Sequence, residues 1–254
     1  MKIYRFKSKN RILYGVLRED NLFPLKGSIF KRFEVDKKGF PISEVTLLPP
    51  VKPSKIVAIG MNYKNHAMER GKAIPKEPLI FLKPSSAVIG PRDIIVYPKM
   101  AKRVDYEGEL AVVIKKKSHL LSDDDNVEEY ILGYTCMNDV TARNLQERDG
   151  QFTRAKSFDT FAAIGPCIAT DVDPSLLRIK TFLNGKLKQS AKTKNLIFPV
   201  TFLVKFVSEI MTLYPGDIIS TGTPAGIGPM SPGDRVDVQI EGIGTLSNTV
   251  MKVH

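Results

Sequence analysis

The chain has 254 residues, 43% hydrophobic and 26% charged, which is ordinary for a globular protein with a sizeable core. No apolar run approaches the roughly 18 residues of a membrane-spanning helix, and the basic N-terminus lacks the apolar segment of a secretory signal, so we expect no membrane association. The two cysteines, Cys136 and Cys167, lie far apart. This spacing disfavours a disulfide framework or a cysteine zinc site and favours a cytoplasmic location.

The net charge of +11 is concentrated near the N-terminus, where residues 1–55 hold 13 lysines and arginines against 5 aspartates and glutamates. A basic segment can mark nucleic-acid binding, and it can also be a solvated, lysine-rich surface. Because the segment matches no nucleic-acid-binding motif, we favour the solvated surface and expect no nucleic-acid partner.

Strand signals predominate along the chain. Short alternating runs over residues 1–48 predict small antiparallel strands, and prolines at 49, 50 and 53 predict a linker after them. Asn62 is the predicted N-cap of the next helix, and Asp123 is predicted to start another. In chain order, we expect strands at 55–60, 79–83, 93–97, 104–115 and 133–138, and helices at 62–70, 123–132 and 140–149.

The last third of the chain follows the same pattern. Asn184-Gly185 predicts the two-residue turn of a hairpin, and the apolar spacing over residues 199–213 predicts a helix. Turns at 215–217 and 232–234 then bracket short strands. Because the predicted strands do not alternate regularly with helices, we expect a mainly β protein with short helices, in the α+β class.

The predicted strand VDYEGELAVVI carries three acids on one face. Asp105, Glu107 and Glu109 alternate along it, so their side chains point the same way and repel one another. Arginine or lysine partners would offset this repulsion, as would a hard cation such as Mg²⁺ or Mn²⁺. The alternative is an exposed edge strand with solvated acids.

A third ligand for a cation would have to come from elsewhere in the chain. Asp139 ends an apolar strand just before a predicted helix, and if it lies at the helix start, Arg143 and Gln146 follow on the same face. A carboxylate, a guanidinium and an amide would then converge.

His66 and Glu69 stand three residues apart, which makes them neighbours on a helix. A carboxylate beside an imidazole suits a general base for water, although a surface ion pair has the same spacing. The following loop, residues 71–78, could close over such a site.

Two further features carry weaker signals. Lys156 precedes an aromatic run and could stabilise an oxyanion, or it could be an ordinary surface lysine. The glycine-rich residues 220–229 match no nucleotide-binding pattern, and a loop that holds a small carboxylate fits them better.

Six segments occur in an order that resembles the fumarylacetoacetate hydrolase family: GMNYKNHAMERG, FLKPSSAVIGP, VDYEGELAVVI, GYTCMNDVTARNLQ, AKSFDTFAAIGP and ISTGTPAGIGPMSPGD. The resemblance covers residues 54–252 as a catalytic domain, and residues 1–50 resemble the small N-terminal β domain of many members. It implies a mixed β-sandwich roll, a homodimer and a divalent metal, Mg²⁺ or Mn²⁺.

Carried over by position, the resemblance also implies roles for single residues. Asp105 has no ligand role in the pattern and is expected to orient a ligand or an active-site cation. The implied metal ligands are Glu107, Glu109 and Asp139, the catalytic residues are His66, Glu69 and Lys156, and the substrate contacts are Arg143, Gln146, Lys83 and Thr223.

The implied substrates are small 2-oxo or 2-hydroxy-enoic acids and diacids. We expect hydrolysis of a C–C bond in an acylpyruvate of the fumarylpyruvate or acetylpyruvate type. Isomerisation of 2-hydroxyhepta-2,4-diene-1,7-dioate and decarboxylation of oxaloacetate are alternatives that use the same enolate chemistry. A non-catalytic basic binding protein is a hypothesis of another class, and the presence of every acid and of the dyad argues against it.

Overall fold

The computed structural model describes residues 1–252, and strands predominate among them, as predicted. The α-helices are α1 (Lys64–Glu69), α2 (Arg143–Asp149), α3 (Thr153–Lys156) and α4 (Val200–Ile210). The strands are β1 (Lys2–Ser8), β2 (Arg11–Arg18), β3 (Asn21–Gly27), β4 (Phe33–Val35), β5 (Phe40–Pro41), β6 (Thr46–Leu48), β7 (Lys55–Gly60), β8 (Leu79–Pro84), β9 (Val88–Ile89), β10 (Ile94–Val96), β11 (Val104–Tyr106), β12 (Gly108–Ile114), β13 (Ile131–Asp139), β14 (Thr141–Ala142), β15 (Ala162–Ala169), β16 (Arg178–Leu183), β17 (Lys186–Lys192), β18 (Ile218–Ser220), β19 (Gly228–Met230), β20 (Arg235–Ile240) and β21 (Gly244–Met251).

The strands form three sheets, of which the first two are mixed and the third is antiparallel. The largest has 13 strands and runs β4-β3-β2-β1-β15-β13-β12-β18-β7-β8, with β5, β6 and β9 paired beside this path. The second runs β10-β21-β20-β16-β17, and the third runs β14-β11-β19. Because β1 pairs with β15, the N-terminal strands continue the largest sheet rather than forming a sheet of their own. The domain boundary near residue 50 stays a prediction.

Strand β12 lies between β13 and β18, and both of its faces are buried. Leu110 and Val112 belong to a core cluster that includes residues of α4, β20 and β21, while Ala111 and Val113 belong to a second cluster on the opposite face. A strand buried on both faces reads as a continuous apolar run, which explains LAVVI. The strand is therefore a rigid support for the residues that precede it.

The helix predicted over residues 123–132 is wrong. The structure has only a 3₁₀ turn at Val127–Tyr130, where Asn126 accepts a hydrogen bond from the backbone N–H of Glu128 at 3.3 Å. Asp123 does not cap this turn, because its carboxylate pairs with Lys205 on α4. The hairpin at Asn184-Gly185 is confirmed, and the helix predicted over residues 199–213 forms but ends at Ile210.

The predicted N-cap role of Asn62 is also wrong, since the cap position is Tyr63. The buried amide of Asn62 donates to the carbonyls of Phe198 and Thr221 at 3.0 and 2.8 Å, and its oxygen accepts from the N–H of Phe198 at 2.8 Å. Asn62 can therefore satisfy backbone groups of two distant segments, which a cap on its own helix would not do. Among residues 1–252, no helix is long and apolar enough to cross a bilayer.

Gly108 begins β12 where that strand crosses the hairpin of β16 and β17, and this hairpin fills the space that a side chain at Gly108 would occupy. A Cβ at Gly108 would lie 2.1 Å from Oγ1 of Thr181 and 3.2 Å from Oε1 of Gln189. We expect Gly108→Ala to lower the free energy of unfolding by roughly 1–3 kcal/mol through overpacking, measured by urea denaturation. Adding Thr181→Ala removes the closest atom and should restore most of the loss. If the double variant is no more stable than Gly108→Ala alone, this explanation fails.

Candidate active site

Three carboxylates meet where β12 and β13 lie side by side. Gly108 pairs with Asn138, and the N–H of Asp139 donates to the carbonyl of Glu107 at 2.8 Å, which aligns the two chain segments. Glu107, Glu109 and Asp139 each place an oxygen within 4.8 Å of the others, and all three are buried. The alternative of an edge strand with solvated acids is therefore wrong. We call these residues the acid triad.

Asp139 reaches the triad from a strand and not from a helix. It is the last residue of β13, and α2 begins only at Arg143 because Thr141 and Ala142 pair with β11. The predicted placement of Asp139 on one helix face with Arg143 and Gln146 is therefore wrong. The three residues still converge, because the strand end and the helix border the same cavity.

Asp105 does not belong to the triad. Its carboxylate accepts two hydrogen bonds from the guanidinium of Arg103, at 2.8 and 3.0 Å, and one from Nε of Arg143 at 2.9 Å. The other end of the Arg143 guanidinium contacts Glu107. Asp105 thus orients an active-site arginine, in agreement with the supporting role expected for it.

Buried cations balance two of the triad acids. Nζ of Lys156 lies 2.7 Å from Glu107 and 2.6 Å from Asp139, and Lys83 contacts the second oxygen of Asp139. Burial would lower the pKa of Lys156, but the carboxylates of Asp139 and Glu107 outweigh this effect and raise it. Lys156 is therefore a buried ammonium group rather than a surface lysine.

Glu109 lacks such a partner. Its carboxylate accepts hydrogen bonds from the hydroxyl of Ser220 and, at 2.8 Å, from the N–H of Gly222, and it forms no ion pair with the described residues. Burial raises its pKa to about 8, and the charges of Asp139 and Glu107 add to the effect. The glycine-rich residues 220–229, which we expect to hold a small carboxylate, thus hold the carboxylate of Glu109.

Glu107 shows the opposite balance. Burial alone would raise its pKa, but the charges of Lys156 and Arg143 outweigh burial and hold the pKa below its ordinary value. Two cations pair with Glu107, whereas its neighbour Glu109 forms no ion pair within residues 1–252. Three carboxylates at this spacing with one uncompensated charge are a donor set that fits a hard divalent cation.

A cavity of about 390 Å³ opens beside the triad. Its wall contains every predicted site residue except Glu69 and Lys83. The lining residues are Ile59, Gly60, Met61, His66, Arg70, Lys72, Phe81, Glu107, Glu109, Asp139, Arg143, Gln146, Glu147, Gly150, Phe152, Lys156 and Thr223.

His66 and Glu69 form a pair at the edge of this cavity. Nδ1 of His66 lies 3.0 Å from Oε2 of Glu69, and the other oxygen of Glu69 accepts the N–H of Gly226 at 2.9 Å. His66 is buried and only Glu69 is exposed, so the pair differs from the fully exposed surface ion pair that its spacing also allowed. The carboxylate of Glu69, which Gly226 holds in place, fixes the orientation of the His66 imidazole at the cavity wall.

Lys83 and Thr223, two of the predicted substrate contacts, differ from the others in how their side chains are placed. Lys83 is fully buried behind Asp139, where it also donates to the carbonyl of Val140 at 3.2 Å, and burial lowers its pKa. The hydroxyl of Thr223 reaches the cavity wall but already donates to the carbonyl of Gly108 at 2.9 Å. In this structure Lys83 therefore acts on the site through Asp139.

Gln189 is a supporting residue that sequence reasoning missed. Its oxygen accepts the N–H of Gly108 at 3.0 Å, and its nitrogen donates to Thr223 Oγ1 at 2.8 Å and to the carbonyl of Pro224 at 2.7 Å. Gln189, which lies on β17, therefore joins the start of β12 to the glycine-rich residues 220–229. Its position in a predicted hairpin carried no signal of this role.

The pKa of Glu109 leads to a testable pH dependence. Its proton must leave before the carboxylate can bind a cation, so Mn²⁺ affinity should rise by up to about tenfold per pH unit from pH 6 to pH 8. Isothermal titration calorimetry at several pH values measures this. Glu109→Gln should bind Mn²⁺ weakly and with a smaller pH dependence. A wild-type affinity that stays constant over this range would contradict the assignment.

Comparisons with known proteins identify the family of this chain. A family model described as fumarylacetoacetate (FAA) hydrolase, C-terminal, matches residues 55–251, and one described as Rv2993c-like, N-terminal, matches residues 1–50. Oxaloacetate tautomerase Fahd2a, mitochondrial, from Rattus norvegicus is 42% identical over 223 residues, which cover 83% of this chain and 71% of that protein.

Two solved structures align over the full length of both chains. The 5-carboxymethyl-2-hydroxymuconate delta-isomerase from Mycobacterium smegmatis has a TM-score of 0.93 at 40% identity. The maleylpyruvate hydrolase from Sphingobium sp. SYK-6, solved with manganese(II) and pyruvate, has a TM-score of 0.83 at 28% identity. The mixed β fold expected from the resemblance is confirmed, and the chain belongs to the fumarylacetoacetate hydrolase family of enzymes.

Proposed function

We propose that this chain is a divalent-metal-dependent hydrolase that cleaves a C–C bond of an acylpyruvate, of the fumarylpyruvate or acetylpyruvate type. The observation that carries the proposal is the His66–Glu69 pair, whose imidazole lines the same cavity as the acid triad. Glu107, Glu109 and Asp139 would hold Mg²⁺ or Mn²⁺. When bound, the cation would supply Lewis acidity for the carboxylate and 2-oxo group of the substrate.

The dyad supplies the water chemistry. With Nδ1 of His66 donating to Glu69, Nε2 carries the lone pair that accepts a proton from water. Glu69 then stabilises the imidazolium, and the N–H of Gly226 keeps its carboxylate in place. The maleylpyruvate hydrolase found with manganese(II) and pyruvate supports the same reaction class.

Lys156 is suited to the oxyanion. An ammonium group has three N–H donors, and Glu107 and Asp139 accept two of them, so one remains for a substrate oxygen. Arg143 and Gln146 line the same wall, and the Arg143 guanidinium donates to Oε1 of Gln146 at 2.5 Å. We propose that this pair positions the pyruvyl carboxylate.

The bond changes balance with water as the only co-reactant. The water oxygen bonds to the distal acyl carbon, and His66 takes the proton. When the tetrahedral centre collapses, the bond from the acyl carbon to the methylene carbon breaks, and its electron pair is delocalised onto the 2-oxo group. Protonation of the methylene carbon, with the proton returned by His66, yields pyruvate and a carboxylic acid.

A second candidate function is a proton shift or decarboxylation on the same inner site. The isomerase from Mycobacterium smegmatis and the rat oxaloacetate tautomerase support it. Neither an isomerisation nor a decarboxylation has to activate water, so the dyad distinguishes these reactions from hydrolysis. The homodimer and the cytoplasmic location remain part of the proposal.

The dyad can be tested with acetylpyruvate and Mg²⁺. Because His66 activates water, His66→Ala should lower kcat for C–C cleavage by about 10²- to 10⁴-fold while retaining part of any oxaloacetate decarboxylation. Pyruvate release measures both reactions. His119, which is exposed and lies outside the cavity, provides the matched control His119→Ala.

Full cleavage activity in His66→Ala would overturn the hydrolase proposal. Activity on oxaloacetate or on a hydroxymuconate-type dienedioate, with none on acylpyruvates, would instead support the second candidate. Glu109→Ala tests the metal ligands separately, because it should abolish every one of these reactions. Equal acetylpyruvate cleavage in Glu109→Ala and wild type would refute the metal assignment.

A further inference from the structure

The mouth of the cavity carries charges that the proposed chemistry does not use. Arg70 follows the last residue of α1, Lys72 comes two residues later, and Glu147 lies on α2. All three line the cavity. Two cations against one acid give this end a net positive charge, whereas at the inner end Lys83, Lys156 and Arg143 offset the charge of the acid triad.

The residues that line the cavity range from buried to exposed. The acid triad is buried, Phe81 and Phe152 are half-buried, and Lys72 is exposed. The two phenylalanine rings pack edge to face with centroids 5.2 Å apart, and the Phe81 ring lies 5.1 Å from Nζ of Lys156. The cavity therefore has a charged inner end, an aromatic wall and a cationic mouth.

The Arg70–Glu147 pair bridges α1 and α2 at this mouth. Nη2 of Arg70 lies 3.4 Å from Oε1 of Glu147, and the two side chains are 29% and 60% exposed. A single long contact at this exposure is a weak ion pair. It is the only hydrogen bond of the Arg70 side chain within residues 1–252, so most of the guanidinium donors are available to a ligand.

We propose that Arg70, assisted by Lys72, binds a second carboxylate at the far end of the substrate and makes the enzyme selective for diacids. This assignment rests on the proposed function, in which the 2-oxo acid end lies at the triad. A planar guanidinium matches a carboxylate in a two-point contact, which an ammonium group cannot reproduce. Glu147 holds Arg70 at the mouth and competes with the ligand for it.

Paired ligands of equal length provide the test. Isothermal titration calorimetry with the Mg²⁺-loaded protein compares 2-oxopentanedioate, 2-oxohexanedioate and 2-oxoheptanedioate with the corresponding 2-oxo monoacids. We expect wild type to prefer at least one diacid over its monoacid by about tenfold. Arg70→Gln should remove this preference and leave monoacid affinity unchanged, whereas Arg70→Lys should keep part of it. Glu147→Gln should increase the preference.

The outcomes distinguish the role of Arg70 from the proposed function. Diacid preference that is absent in wild type, or intact in Arg70→Gln, overturns the role of Arg70 while leaving the proposed function standing. Loss of monoacid and diacid affinity together in Arg70→Gln also overturns it, because that result shows a structural role. If neither acid of any pair binds to wild type with Mg²⁺, the proposed function itself fails, and the assignment of Arg70 falls with it.

Discussion

Burial of the carboxylates of Glu107, Glu109 and Asp139, which lie on or directly beside core strands β12 and β13, imposes the constraint on which the rest of the site depends. Removing an ionised carboxylate from water costs several kcal/mol even after the protein relaxes, and three adjacent carboxylates also repel one another. Lys83 and Lys156 offset this cost for two of the acids. Glu109 receives only hydrogen bonds, so the protein leaves one negative charge for a cation or a proton to neutralise.

The rigidity of the site follows from where the acids lie. Strand β12 is interior to the largest sheet and buried on both faces, so Glu109 and its neighbours cannot move apart without disrupting the core. Gln189 and Asp105 add cross-links from other segments: one holds the glycine-rich loop against Gly108, and the other fixes Arg143. The acids therefore stay close together despite their repulsion.

The cavity has a buried inner end and a more exposed mouth. Under the proposed function, the inner charges would serve any 2-oxo acid whose reaction passes through an enolate. The dyad and the mouth belong to α1, α2 and the segments after them, which are short and partly exposed. The relatives include proteins named as an isomerase, a hydrolase and a tautomerase, so membership of the family does not by itself fix the reaction.

Local patterns in the sequence determined the mainly β class, the buried strand LAVVI, the Asn184-Gly185 hairpin and the i, i+3 spacing of His66 and Glu69, because each reflects neighbours along one element. The order of six motifs identified the family. The tertiary structure alone decided the partners of the acids. Lys83 is 56 residues from Asp139, Ser220 is 111 residues from Glu109, and Gln189 is 81 residues from Gly108. Sheet register and strand order bring these pairs together, and no local periodicity encodes them. For the same reason Asn62 and Asp123, which resemble helix caps locally, bind distant segments instead.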